Sequence, residues 1–175
     1  YYEFVVDGAK AFATVKNADT NAYYVLTGVT IDGENVGMGL GDGWRWRPAN
    51  SNLVFRSGYT NQMTVSGIDT NGSIHPVVDF DTRLRFSDLS LFGWGVKDGV
   101  MDVTNGTLSL TLAGKNVLAG LDRFRGNGLA VHPNAALTVD GDGSLSATGG
   151  DWGAGIGGGN KGAGGTVTIN GGEVA

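Results

Sequence analysis

One short strand pattern recurs down the chain and constrains it more than any other feature. Apolar-x-apolar triplets stand at Val29-Thr-Ile31, Leu53-Val-Phe55, Leu84-Arg-Phe86, Leu110-Thr-Leu112, Leu137-Thr-Val139 and Val167-Thr-Ile169, separated by 24, 31, 26, 27 and 30 residues. An extra copy, Met63-Thr-Val65, interrupts the series. Repeats at a near-constant period of this length are the signature of stacked coils. Four copies run into a corner of Gly with Asx or Lys: Ile31-Asp-Gly33-Glu-Asn35, Leu112-Ala-Gly114-Lys-Asn116, Val139-Asp-Gly141-Asp-Gly143 and Ile169-Asn-Gly171-Gly172. Gly and Asn both tolerate positive φ, so a sharp bend at a fixed place costs little. After each corner an apolar position returns at Val36, Val117, Leu145 and Val174.

Strand, corner and strand at this spacing describe one turn of a parallel β-helix. The fold class is therefore all-β, a parallel β-helix or solenoid with irregular N-terminal coils or a cap; a β-sandwich or jelly roll is the alternative. The 32 glycines, with many Thr, Val, Asn and Asp, disfavour helix interiors and agree with either form. In Thr166-Val-Thr-Ile-Asn170 the alternation would turn Val167 and Ile169 inward and the threonines to solvent. Residues 1–103 are expected to form irregular coils or a cap, and 104–175 the glycine-rich coils, continuous with the first part and cut short at the C-terminus. Ala9–Lys16 fits both helical and strand periods.

Gly153-Ala-Gly155-Ile-Gly157-Gly158 is a literal GxGxxG. A dinucleotide fingerprint must follow a strand and open a helix, whereas here more glycine and then Thr166-Val-Thr-Ile169 follow. The glycines are better explained by tight bends and close backbone approach.

The stretch from Gly106 to Ala175 is similar to the glycine-rich repeats of large bacterial cell-surface proteins. The likeness is carried by Ala136-Leu-Thr-Val-Asp-Gly-Asp-Gly-Ser-Leu-Ser-Ala-Thr-Gly-Gly150, Gly153-Ala-Gly-Ile-Gly-Gly-Gly159 and Gly165-Thr-Val-Thr-Ile-Asn-Gly-Gly172. The resemblance implies an adhesin-like or carbohydrate-binding parallel β-helix in an extracellular, cell-surface or secreted setting.

Charge and composition exclude other classes. Twelve basic against 17 acidic residues give a net charge of -5, which leaves no footprint for nucleic acid. There is no cysteine, hence neither a disulfide framework nor a thiolate metal site. No apolar run approaches the roughly 18 residues of a membrane span.

Candidate ligand contacts centre on Trp44-Arg45-Trp46-Arg47. On an extended strand both indoles share one side and both guanidiniums the other. Exposed indoles would suit sugar rings and Arg forks acidic glycans; the plainer reading has Trp44 and Trp46 plugging the core. Trp94 and Trp152, each beside glycine, divide the same way. Asp79 and Asp81 flank Phe80, about 7 Å apart if on one strand, a spacing open to acid/base glycoside chemistry or calcium but equally a solvent face. Asp140 and Asp142 begin like a calcium loop, yet Leu145 stands where an EF-hand needs glycine. No cofactor is expected, calcium apart. His75 and His132 both precede proline, which points to extended or turn backbone instead of a metal constellation. Three functions follow: a non-catalytic module for adhesion or glycan binding, a fibre, filament or spike subunit joined through exposed strand ends, or a polysaccharide lyase or hydrolase.

Overall fold

The computed structural model describes residues 3–7, 10–16, 23–25 and 27–175, except 95, 122–124 and 159–161. Among these the chain is strands and turns, with one 3-10 turn and no α-helix. β1 (Glu3–Asp7), β2 (Lys10–Lys16) and β3 (Tyr23–Val25) form an antiparallel sheet, which settles 10–16 as strand. β4 (Val29–Ile31) and β5 (Glu34–Asn35) make a hairpin, because Asp32 (φ 49°) and Gly33 (φ 84°) both take the left-handed conformation a two-residue turn needs. This corner therefore reverses the chain and is not the coil corner its wording suggests. The 3-10 turn Val36–Met38 follows, capped by Asn35 Oδ1 accepting from the Gly37 amide at 2.9 Å. β6 (Leu40–Gly41), β7 (Trp44–Arg47) and β8 (Asn52–Phe55) continue antiparallel.

From β8 onward the chain winds as a parallel β-solenoid of about four turns. The strands are β9 (Met63–Asp69), β10 (His75–Val78), β11 (Thr82–Gly93), β12 (Val96–Val103), β13 (Gly106–Ala113), β14 (Lys115–Gly120), β15 (Arg125–Val131), β16 (Ala135–Gly141), β17 (Ser144–Thr148), β18 (Ile156–Gly157), β19 (Thr166–Ile169) and β20 (Glu173–Val174). Each turn visits three faces. The first stacks β8, β10, β12, β15 and β18; the second stacks the leading halves of β9 and β11 with β13, β16 and β19; the third stacks their trailing halves with β14, β17 and β20. All these pairings are parallel, which excludes the sandwich and jelly roll. Gly67 (φ 107°), Asp88 (φ 53°) and Gly114 (φ 63°) supply the bend from second to third face in successive turns. Because β12 ends at Val103 and β13 starts at Gly106 in one turn, position 104 is a corner within a coil.

The core is a stack of aliphatic rungs: Met63 and Val65, Leu84 and Phe86, Leu108 to Leu112, and Leu137 and Val139 on the second face, met by Leu53, Met101, Leu129 and Val131 from the first and Leu89, Leu91, Leu118 and Leu145 from the third. Register differs from the sequence expectation in two places. Met63 and Val65, not Leu53 and Phe55, lie beside Leu84 and Phe86; Leu53 belongs to the first face. Leu110 pairs with Val139 and not Leu137, which pairs instead with Leu108 and Val167.

Polar groups at the buried corners are tied between turns. Asn116, 2% exposed, accepts from the Leu89 amide (3.0 Å) and donates to the carbonyls of Ala113 and Ser144 (both 3.0 Å), joining three successive turns. Asn127 does the same for the glycine-rich last turn, accepting from Ala154 N and donating to the carbonyls of Gly157 and Gly158. There the GxGxxG segment contributes β18 and no helix. A side chain at Gly153 would strike the Gly126 carbonyl, so these glycines serve close backbone approach.

The two ends of the stack differ. At the N-terminal end β7 covers the edge of β8 and β4 the edge of β9, both antiparallel, and among the described residues the outermost strands are then the two-residue β5 and β6, too short to invite further pairing. At the other end Val167 and Ile169 have the expected inward alternation, but with no described turn above them they are 39% and 51% exposed.

Candidate functional site

The Trp-Arg strand closes the core. β7 alternates buried and exposed, with Trp44 1% and Trp46 9% exposed, packed across from Phe55 and Leu53. Trp46 also donates its Nε1–H to the Ser73 carbonyl at 3.2 Å. The strand alternates as its sequence predicts, but the indole faces are covered, and Arg45 and Arg47 are the residues that reach solvent.

Trp94 and Trp152 are exposed. Trp94 is anchored by its Nε1–H on the Thr70 carbonyl (3.1 Å). Trp152, 76% exposed with φ 63°, has the Arg125 guanidinium 5.4 Å from its ring centroid, a cation–π distance. They belong to different turns and are not joined to β7 in one site.

The aspartates are structural caps more than paired acids. Asp79 to Asp81 form the corner between β10 and β11 instead of a strand. Asp79 accepts from Thr104 Oγ1 (3.1 Å) and Asp81 from the Thr107 amide (2.8 Å), each holding the corner of the next turn. Among the described residues neither is ion-paired with Arg83 or Arg85. Asp140 Oδ1 accepts from the Gly141 amide at 2.7 Å, and Asp142 is exposed in the same bend. Neither pair is joined by a third acidic or imidazole ligand among the described residues.

Stacking instead brings together a groove that no local motif announced. A cavity of about 540 Å³ opens between the loop Ser57–Thr60 and the outer side of the second face. Tyr59 and Phe80 supply aromatic surface, and Asp81, Arg83, Thr107 and Ser109 supply polar groups. Tyr59 is fixed from behind, since its ring packs on Gly43 and its hydroxyl is 3.4 Å from Asp42 Oδ2. Parallel register places Arg83 beside Ser109, so the groove floor is rigid strand. The site combines a few convergent hydrogen-bonding groups with half-exposed rings.

No protein-family model matches the chain, and no curated protein or solved structure does either.

Proposed function

We propose that the chain is an extracellular surface module that binds glycan without cleaving it, in the groove between Ser57–Thr60 and the second face. The observation that carries this reading is the convergence of Tyr59 and Phe80 with Asp81, Arg83, Thr107 and Ser109 around one cavity. A sugar ring has an apolar C–H face that suits an aromatic side chain and equatorial hydroxyls that suit carboxylate, guanidinium and hydroxyl partners. Arg83 favours a carboxylated sugar, which its planar fork can hold by two bonds. Of the two aspartates only Asp81 lines the groove, while Asp79 is engaged by Thr104, so the pair does not present two carboxyls to one substrate, which supports binding over hydrolysis. The glycine-rich wording shared with bacterial surface repeats supports the cell-surface setting. Glycan-array screening followed by calorimetry tests it. An acidic glycan binds, and Phe80→Ala or Arg83→Ala weakens it about tenfold or more, the loss of one stacking contact or one charge-assisted bond. Absence of binding, or binding indifferent to both changes, overturns the reading.

A second reading is a subunit of a fibre or filament. Val167, Ile169 and Val174 with Ala147 and Ile156 line an exposed apolar recess of about 330 Å³ beside β19 and β20, a surface of the kind that supports subunit contact. Light scattering that finds a stable monomer across a wide concentration range counts against it.

A further inference from the structure

The outer side of the first face holds a polar cluster that neither the coil nor the groove uses. Asp102 alternates with the core residues Met101 and Val103 on β12 and so points out of the coil, yet it is 6% exposed. Its Oδ2 lies 3.0 Å from Nε2 of His75 on β10, whose Nδ1 is 3.3 Å from Asn52 Oδ1. That pair is within ion-pair distance, but Nε2 makes no aligned hydrogen bond. Among the described residues Asp102 Oδ1 and His132 Nε2 are also buried without a partner. Three orphaned polar atoms in one patch are an uncompensated cost that native interiors avoid.

Asp98 completes the cluster. Relative to β15, β12 carries one extra residue between Val96 and Gly99, and this bulge contains Asp98. Gly99 folds so close over Asp102 that a Cβ there would be 2.8 Å from Asp102 Oδ1 and 2.9 Å from the Ala130 amide. The Asp98 Oδ2 sits 3.9 Å from His132 Nε2, and one ligand atom each of Asp98, Asp102 and His132 lies within 4.8 Å of the others. An ion bound at about 2.0–2.2 Å would hold such donors roughly 3–3.5 Å apart. Asp98, whose side chain is 65% exposed, is free to close its own separations, and small side-chain rotations of Asp102 and His132 would close theirs.

We propose that Asp98, Asp102 and His132 form a site for a divalent transition metal of the zinc class, which clamps the turn containing β12 to the turn containing β15. One imidazole and two carboxylates suit zinc, whereas calcium would require six to eight oxygens. His75, with Nε2 3.0 Å from the other oxygen of Asp102, acts as a positioning residue once the site is filled. Water completes the coordination on the exposed Asp98 side. This inference is independent of the glycan groove.

The test uses the full 175-residue chain, stripped with chelator, dialysed against zinc chloride and assayed by elemental analysis and thermal melting. The expected result is one zinc per chain and a higher melting temperature, with calcium giving neither. Asp98→Asn and His132→Gln each weaken zinc at least tenfold while their metal-free melting stays close to the parent's. His75→Gln weakens it about 10–100-fold, as loss of an outer-shell partner does. Uptake well below one zinc per chain, as when only water fills the patch, overturns the proposal. So does stoichiometric uptake that Asp98→Asn and His132→Gln leave unchanged.

Discussion

Replacing Asn116 tests whether buried amides hold the turns together. Its side chain is the partner of the Leu89 amide and of the Ala113 and Ser144 carbonyls, all at 3.0 Å. In Asn116→Ala the Leu89 N–H loses its acceptor at a buried corner, a cost of about 1–3 kcal/mol, and each carbonyl bond lost adds about 0.5–1.5 kcal/mol. The sum is about 2–6 kcal/mol, a large part of the roughly 5–15 kcal/mol that stabilises a typical domain. Asn116→Asp looks milder but should cost at least as much. It keeps an acceptor for Leu89 while aiming a charged oxygen at two carbonyls that have lost their donor. Equilibrium unfolding in urea measures both, and hydrogen exchange at Leu89 localises the effect. The turns interact chiefly with their neighbours, so protection should fall at Leu89 before it falls at distant amides such as Val65. An Asn116→Asp protein within about 1 kcal/mol of the parent, with Leu89 still protected, would refute the reasoning.

The tryptophans should separate sharply: Trp44→Ala removes a side chain 1% exposed and costs about 3–5 kcal/mol, whereas Trp152→Ala at 76% exposed changes urea stability by about 0.5 kcal/mol or less. Gly143→Ala places a Cβ about 2.7 Å from the Ala113 backbone and should destabilise by about 1–3 kcal/mol. Gly33→Asn meets open space at φ +84°, a conformation Asn accepts, and should be near neutral by the same assay. If the last turn mediates self-association, Ile169→Lys should abolish the concentration-dependent mass seen by light scattering while leaving the melting temperature nearly unchanged, because Ile169 is half exposed.

The coil itself was legible in the recurrence of aliphatic triplets and Gly-Asx corners, but its register was not. Leu108-Ser-Leu110-Thr-Leu112 offers three inward residues at period two, so a slip of two residues preserves every inward side chain. The corner decides: the bend after Leu112 aligns with Gly143, not Gly141, because Lys115 pairs with Ser144, and this carries Leu110 to Val139. The Trp-Arg strand was legible as amphipathic, while the side that would be covered depended on its place at the end of the stack. The groove draws on residues 57–60, 80–83, 107 and 109, ordinary in sequence and adjacent only through stacking. The histidine cluster did leave a signal. His75, Asp102 and His132 follow one another at 27 and 30 residues, which is the coil period, so side chains that looked isolated in sequence stand at matching places on neighbouring turns.

Paired cysteines test the stacking most directly, in a chain with no cysteine of its own. Ser109 and Thr138 face each other on β13 and β16, and directly opposed strand residues have Cα separations within the roughly 4.4–6.8 Å that a disulfide spans. Under mild oxidation Ser109→Cys with Thr138→Cys should close nearly completely in the monomer, while Ser109→Cys with Ala136→Cys, two residues out of register, should stay open. Closure of the second pair in preference to the first, or of neither, would contradict the coil, and with it the groove and the Asp98, Asp102 and His132 cluster that depend on its stacking.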